Sequence, residues 1–137
     1  MGVILDSSGL VAGERQGNTA RDILSAISSK LGDIETGLSV ITLLELAHGA
    51  ARANSAARRA IREQFIDELA RALPIYPVTA AVAIRAGQID GANQARGLRL
   101  PLSDLLIGVT ALELGYGVAT GNVRHFRMID GLTLQQL

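Results

Sequence analysis

The chain has 137 residues, no cysteine and a formal net charge of +0, and its length suits one domain with a single core. The absence of cysteine excludes disulfides and thiolate metal sites and is compatible with a reducing cytoplasm, while the balanced charge does not indicate a globally basic nucleic-acid binder. No apolar stretch reaches the roughly 18–20 residues of a membrane span, and no signal peptide is recognisable, so we expect a cytoplasmic protein with no membrane contact.

Taken in chain order, the apolar pattern predicts strands that alternate with helices. Short apolar runs ending in polar residues are expected as strands, and segments with apolar residues three or four apart are expected as helices. The expected strands are residues 2–6, 38–41, 75–78, 117–120 and 132–134. The expected helices are residues 19–31, 42–53, 56–73 and 80–96, then one from Ser103 or Asp104 to Leu114, with a turn at 123–126. This alternation predicts a single α/β domain over residues 1–137, with a parallel sheet covered on both faces.

Each acid near a strand end has a purely structural role open to it. Asp6 could cap a helix that follows the first strand. Thr42 and Glu45 have the spacing of a capping box, with Thr42 as the N-cap residue and Glu45 at position N3. Asp104 could lie at a helix N-terminus, where a negative charge gains about 0.3–1 kcal/mol from the helix dipole.

Considered together, these polar residues gather where the expected strands end. Asp6 follows the first strand, Glu45 comes shortly after the second, Asp104 opens a long apolar helix and Asn122 follows the fourth strand. Ligands bind at this edge of open α/β sheets. Three carboxylates and an amide packed together repel and desolvate each other unless a cation joins them. The sequence therefore predicts a site for Mg²⁺ or Mn²⁺, which prefer carboxylate, amide and water oxygens.

A site of this kind suits phosphodiester hydrolysis. The metal would orient and deprotonate a water and would neutralise charge on the phosphate oxygens, and a second ion about 3.5–4 Å away could stabilise the leaving 3′ oxygen. We expect Asp6, Glu45 and Asp104 to hold one metal directly or through water. Asp104 and Asn122 would support a second ion or the attacking water.

Other polar side chains are open to two interpretations each. His48 lies three residues after Glu45 and is either a metal ligand or a supporting or interface residue. His125 follows Arg124 in the expected turn and either contacts phosphate or is an ordinary surface residue. Arg52 belongs to a basic stretch that is either solvated or in contact with RNA or an acidic partner. The other members of that stretch are Arg58, Arg59 and Arg62.

Five segments together carry a family resemblance. They are Val-Ile-Leu-Asp-Ser-Ser at residues 3–8, Ser-Val-Ile-Thr-Leu-Leu-Glu-Leu-Ala-His-Gly at 39–49, Ser-Asp-Leu-Leu-Ile-Gly-Val-Thr-Ala-Leu at 103–112, Val-Ala-Thr-Gly-Asn-Val-Arg-His-Phe at 118–126 and Ile-Asp-Gly-Leu at 129–132. In this order over nearly the whole chain, they resemble the PIN-domain ribonucleases. More narrowly, they resemble the VapC-type toxins of bacterial type II toxin–antitoxin pairs.

The resemblance implies a three-layer α/β/α PIN-like fold with a central parallel sheet of four or five strands. It implies an endoribonuclease toxin that depends on Mg²⁺ or Mn²⁺ and cuts RNA such as tRNA or rRNA. It also implies a homodimer and a small VapB-type antitoxin, which wraps the toxin and inserts a side chain, often Arg, into the acidic pocket.

The resemblance also assigns roles to individual residues. Asp6, Glu45 and Asp104 match the three main acidic positions of the family. Asn122 matches the fourth, which is often Asp, and a neutral amide binds a cation less strongly, so Asn122 either supports the ion weakly or orients water or substrate. Thr120 matches a polar position beside the site and is expected to assist it.

Some features leave other interpretations open. Gly9 and Gly13 stand where the family more often has bulkier residues, so the first helix is expected to be short or mobile. The zero net charge and Asn122 allow a catalytically weak PIN-like module that binds RNA or a partner protein. A receiver-type phosphoacceptor domain would need an acid beside Asp6 and a Lys after a late strand, but the only lysine is Lys30.

Overall fold

The computed structural model describes all 137 residues and contains one sheet of five strands, in which every neighbouring pair is parallel. The strands are β1 (Gly2–Leu5), β2 (Glu35–Ser39), β3 (Ile75–Tyr76), β4 (Gly117–Thr120) and β5 (Leu134–Gln136). The helices are α1 (Ser7–Arg15), α2 (Ala20–Leu31), α3 (Val40–Ala51), α4 (Ala56–Ala72), α5 (Ala80–Ala95), α6 (Leu102–Leu114) and α7 (Val123–Phe126). None of these helices is both long enough and apolar enough to cross a membrane.

Two groups of buried apolar side chains cover the two faces of the sheet. Val3 and Leu5 of β1 pack with side chains of α1, α2, α3 and α4. Ile4 between them points to the opposite face and packs with side chains of α5, α6 and α7. This alternation follows from the two-residue period of a strand. The expected three-layer α/β/α fold around a parallel sheet of four or five strands is confirmed.

The strand order places a crevice beside β1. Across the sheet the order is β3-β2-β1-β4-β5, so β1 is central, with β2 on one side and β4 on the other. The chain leaves β1 toward β2 and β3, and later returns to form β4 on the opposite side. The order therefore reverses between β1 and β4, and ligands bind in the crevice at such a switch point.

Helix α3 begins two residues earlier than the sequence pattern predicted. The hydroxyl of Ser39 caps it by accepting a hydrogen bond from the backbone N–H of Ile41 at 3.0 Å. The predicted capping box of Thr42 and Glu45 is therefore wrong. Thr42 lies inside the first turn, where its buried hydroxyl donates to the backbone oxygen of Leu5 at 3.4 Å. Glu45 is thus free to point away from the helix start.

Helix α1 is longer and more regular than expected, with nine residues. Its glycines allow it to pack closely against its surroundings. A Cβ at Gly13 would lie 2.5 Å from the nearest side-chain atom of Ile23 on α2, and one at Gly9 would lie 3.0 Å from the side chain of Leu137. Glycine weakens a helix in isolation, but at these two positions a larger residue would collide with α2 or the C-terminal residue.

Other element boundaries differ from the prediction by a few residues. Pro101 occupies the N-cap position of α6 with φ −54°, and no side chain caps this helix. The expected capping by Ser103 or Asp104 is therefore wrong, and Asp104 lies in the first turn. Strand β2 starts three residues earlier than predicted. The prediction began too late because Thr36 and Gly37 interrupt the apolar pattern of this strand. Strand β5 starts two residues later than predicted.

Candidate active site

Asp6 directly follows β1 and is only 4% exposed. It holds the N-cap position of α1 but makes no side-chain capping bond. Instead, the hydroxyl of Thr120 at the end of β4 donates to its Oδ2 at 2.8 Å. The backbone N–H of Asp6 donates to the carbonyl oxygen of Ala119 at 3.0 Å. The capping interpretation of Asp6 is therefore wrong, and its carboxylate is fixed by the neighbouring strand.

Glu45 reaches the same edge of the sheet from α3. The hydroxyl of Ser7 donates to its Oε1 at 3.2 Å. Burial raises the pKa of the Glu45 carboxyl, and the hydrogen bond from Ser7 opposes this. The negative charges of Asp6 and Asp104 raise the pKa of Glu45 further, while a hydrogen bond from Ser103 lowers it. These influences show that the carboxylates lie close enough to repel one another.

Asp104 reaches the site from the first turn of α6, and its side chain is 14% exposed. Its Oδ2 lies 2.6 Å from Nδ1 of His125 on α7. The same nitrogen lies 3.1 Å from the side-chain nitrogen of Asn122. Burial raises the pKa of Asp104, the hydrogen bond with His125 opposes this, and the charge of Asp6 raises it further. A ring nitrogen that carries a proton can donate a hydrogen bond but cannot accept one. If Nδ1 of His125 donates to Asp104, it therefore cannot also accept a hydrogen bond from the amide N–H of Asn122.

Serines that the sequence interpretation did not assign to the site complete its hydrogen bonding. Ser7, which donates to Glu45, and Ser103, whose hydroxyl also lowers the pKa of Glu45, each stand directly beside a predicted acid. The hydroxyl of Ser8 accepts from the backbone N–H of Gly121 at 3.0 Å and lies 3.4 Å from the hydroxyl of Thr120. The available signal was their adjacency to Asp6 and Asp104 in the sequence. Adjacency alone does not show which way a hydroxyl points.

The structure thus brings the three predicted carboxylates, with Asn122 and Thr120, to the crevice between β1 and β4. No three His, Asp or Glu side chains stand close enough to hold a metal ion by themselves. Joint ligation of one ion by Asp6, Glu45 and Asp104 is therefore not built into this arrangement. The donors still fit Mg²⁺, which binds through one or two carboxylates and completes its shell with water and phosphate oxygens. A bound cation would relieve the mutual repulsion of these buried carboxylates.

The remaining candidates lie apart from this cluster. His48 is exposed on α3, and Arg52 is exposed at the C-terminal end of that helix. The basic stretch on α4 is divided. Arg59 pairs with a glutamate one turn along the helix at 2.8 Å, and Arg62 donates to a backbone oxygen of α3 at 2.9 Å. The side chains of Arg52 and Arg58, the other two arginines of the predicted basic stretch, make no ion pair and no hydrogen bond.

A buried carboxylate lies close to the site without belonging to it. Glu14 on α1 is 9% exposed, and its Oε1 has no hydrogen-bond partner. Its other oxygen lies 3.9 Å from Nε of Arg62. Glu14, Glu45 and Arg62 line the same small cavity of about 70 Å³. Arg62 therefore offsets part of the negative charge that the fold buries here.

A groove runs from Asn122 along α1 and α2. It has a volume of about 610 Å³ and begins at Ser8, Gly121 and Asn122. Its walls include the polar side chains of Gln16 and Lys30. An extended polar substrate could therefore reach the site along this path.

The chain matches a known domain family over most of its length. The model of the family described as PIN domain matches residues 3–132. Ribonuclease VapC1 from Rickettsia felis is 29% identical over 134 residues, which cover 96% of this chain and 93% of that protein. The family resemblance carried by the sequence motifs is therefore confirmed.

Solved structures share the fold at low sequence identity. VapBC2 from Rickettsia felis, bound to a DNA fragment from its promoter, aligns with a TM-score of 0.84 and 20% identity over 100% of this chain and 99% of that chain. VapBC-1 from nontypeable Haemophilus influenzae aligns with a TM-score of 0.80 and 22% identity over 99% of this chain and 98% of that chain. FitAcB from Neisseria gonorrhoeae aligns with a TM-score of 0.80 and 22% identity over 96% of this chain and 95% of that chain. These likenesses establish the fold.

Proposed function

This chain belongs to the PIN domain family, and on that premise we propose that it is a metal-dependent endoribonuclease, the toxin of a toxin–antitoxin pair. The observation that carries the proposal is the buried Asp6, held by Thr120 and facing the carboxylates of Glu45 and Asp104. Its similarity to Ribonuclease VapC1 supports RNA as the substrate. We take residues 1–137 as one catalytic domain.

Asp6 and Asp104 would hold an Mg²⁺ or Mn²⁺ ion directly, Glu45 would hold it directly or through water, and Asn122 would support it. When bound, the ion supplies an activated water and neutralises charge on the phosphate oxygens. Thr120 keeps the Asp6 carboxylate in one orientation. Glu45, whose pKa is raised by burial, is suited to accept a proton from the attacking water. Hydrolysis breaks the bond between phosphorus and the 3′ oxygen and leaves a 5′-phosphate and a 3′-hydroxyl.

The groove along α1 and α2 supports a polymeric substrate rather than a small one, since its volume of about 610 Å³ extends from Asn122 past Lys30. Lys30 in its wall and the exposed Arg52 are suited to contact phosphates. We propose tRNA or rRNA as the substrate, cut in the cytoplasm.

The experiment is a cleavage assay on total tRNA and rRNA with purified, antitoxin-free protein. Mn²⁺, Mg²⁺ and EDTA are compared, and cut ends are mapped by sequencing. Asp6→Asn and Asp104→Asn are expected to lower the rate by at least about 100-fold, since a bound metal contributes several kcal/mol to the transition state. Asp67→Asn, the same change on the exposed surface of α4, is the control and should cut normally.

The two possible results separate two functions. Discrete cuts that need metal, Asp6 and Asp104 would support the nuclease. Absence of cuts from folded protein in every metal would contradict it and would favour a binding module, to which the neutral Asn122 already lends some support.

We also propose a homodimer and a VapB-type antitoxin as partners. Similarity to chains from VapBC complexes supports the antitoxin. Large apolar side chains on three helices favour an interface, because Leu44, Ile84 and Leu102 are 61%, 63% and 67% exposed. Light scattering after size-exclusion chromatography should give twice the chain mass of 14.4 kDa. Co-expression of a short reading frame next to the gene should relieve toxicity, and failure of any neighbouring frame to do so would count against the antitoxin.

A further inference from the structure

His125 occupies an unusual place for a surface histidine. It belongs to the four-residue helix α7, which begins three residues after β4, the strand whose Thr120 holds Asp6. The next residue, Phe126, is fully buried, and the backbone oxygen of His125 accepts from the N–H of Met128 at 3.1 Å. The imidazole is therefore held against Asp104 by the fold.

We infer that His125 is a ligand of the catalytic metal ion, binding it through Nδ1 together with the carboxylate of Asp104. This inference rests on the proposed metal-dependent function of the site. It goes beyond that function because it adds a nitrogen donor to a set expected to be all oxygen. It also explains how the site gains a donor where Asn122 offers only a neutral amide.

The distances support this assignment. Two ligands at right angles, each 2.0–2.1 Å from an ion, lie about 2.8–3.0 Å apart. Oδ2 of Asp104 lies 2.6 Å from Nδ1 of His125, and the side-chain amide of Asn122 lies 3.1 Å from the same nitrogen. An ion could therefore replace the proton shared by Asp104 and His125 after a shift of a few tenths of an ångström.

The amide of Asn122 fits the same interpretation. Its Nδ2 faces a ring nitrogen that must already donate its proton to Asp104, so the two N–H groups would conflict. Oxygen and nitrogen of an amide are assigned from such contacts. With its oxygen turned toward the ring, Asn122 would present a third donor beside Asp104 and His125.

An imidazole ligand has a consequence for metal preference. Mg²⁺ is a hard ion that favours oxygen donors, whereas imidazole suits transition metals. We therefore expect this site to bind Mn²⁺ or Co²⁺ more tightly than Mg²⁺. Replacement of His125 should reduce that preference, because only the nitrogen donor distinguishes the ions strongly.

The test is electron spin-echo spectroscopy of the antitoxin-free protein with Mn²⁺ bound, since a histidine nitrogen on the ion modulates the echo. Wild-type protein should show ¹⁴N modulation, and His125→Asn should lose it. His48→Asn is the matched control, because the chain has only two histidines and His48 is exposed on α3. Calorimetry should show Mn²⁺ affinity about tenfold or more lower in His125→Asn, with a smaller change for Mg²⁺.

His125→Asp provides a second, independent check. Its carboxylate should restore much of the Mn²⁺ affinity but no ¹⁴N modulation, which separates lost ligation from lost folding. Mn²⁺ bound to the wild-type protein without ¹⁴N modulation would overturn the inference and leave the proposed nuclease intact. No Mn²⁺ binding at all would overturn both.

Discussion

Replacing Thr120 with Val tests whether its hydroxyl holds the site together in the absence of metal. Thr120 is fully buried, and the substitution keeps its shape but removes the hydroxyl. Two short hydrogen bonds of 2.8 Å are lost, one donated to the carboxylate of Asp6 and one accepted from the N–H of Asn122, together with the longer 3.4 Å bond to the hydroxyl of Ser8. A bond to a charged group contributes about 1.5–3 kcal/mol and a neutral one about 0.5–1.5 kcal/mol. The expected loss in unfolding free energy is therefore about 2–4.5 kcal/mol.

This loss should be visible as a change in melting temperature. The entropy of unfolding is about 2.1 cal/mol/K per residue, so for 137 residues 1 kcal/mol corresponds to about 3.5 °C. Thr120→Val should melt about 7–16 °C below wild type in EDTA, as measured by circular dichroism. Urea unfolding in the same buffer should give the matching free energy.

Two further variants show whether the hydroxyl is responsible. Thr133→Val changes an exposed threonine whose hydroxyl has no partner, and its effect should stay within about 0.5 kcal/mol. Thr120→Ser keeps the hydroxyl and should lose only about 1 kcal/mol for the missing methyl group. If Thr120→Val were no less stable than Thr133→Val, the hydroxyl would not be what holds Asp6 in place.

Three more predictions concern packing, buried charge and pH. Gly108→Ala should destabilise the protein by about 1–3 kcal/mol, because the new Cβ would collide with core side chains. Gly87→Ala, in open space on α5, should instead stabilise by up to about 1 kcal/mol in urea unfolding. Arg62→Met should lower the free energy of unfolding by about 1–3 kcal/mol, because it leaves the buried Glu14 without its cation. Glu14→Met should leave that free energy unchanged or raise it. Equal losses for the two variants in urea unfolding would refute this reasoning. The folded-state pKa of Glu45 is raised above its ordinary value of 4.5, so the stability it contributes at acid pH is lost as pH rises through that pKa. In EDTA, the stability of Glu45→Gln relative to wild type should therefore increase as the pH is raised from 4.5 to 7.5. If the difference in melting temperature between the two proteins stayed constant over this range, the pKa of Glu45 would not be raised in the folded protein.

The sequence predicted the strand and helix order well because most elements have a clear apolar period. The prediction was wrong where tertiary contacts determine the ends of an element. Val40 and Ile41 look like the end of a strand, since both are β-branched. They begin α3 because Ser39 caps that helix. Helix α1 was only weakly expected because Gly9 and Gly13 lower its helix propensity, and its packing against α2 and the C-terminus cannot be read from local pattern.

The candidate site was predicted in kind but not in detail. Asp6 lies at a strand end, where a parallel sheet presents it at one edge. Glu45 and Asp104 reach that edge from inside α3 and α6, so topology predicted the edge but not how these two side chains arrive there. The contact between Asp104 and His125 depends on the angle at which α7 leaves β4. Nothing in the spacing of 21 residues encodes that angle. The hydrogen bond from Ser7 to Glu45 likewise depends on a rotamer.

The bond between Thr120 and Asp6 also bears on when the site can first exist during synthesis. The two residues are 114 positions apart, and chains emerge at about 5–20 residues per second. Asp6 is therefore made about 6–23 s before the residue that orients it. Because β4 is the strand beside β1 in the sheet, no shorter nascent chain can align this carboxylate. A ribosome making this protein would thus carry an unfinished site until β4 has been translated and has paired with β1.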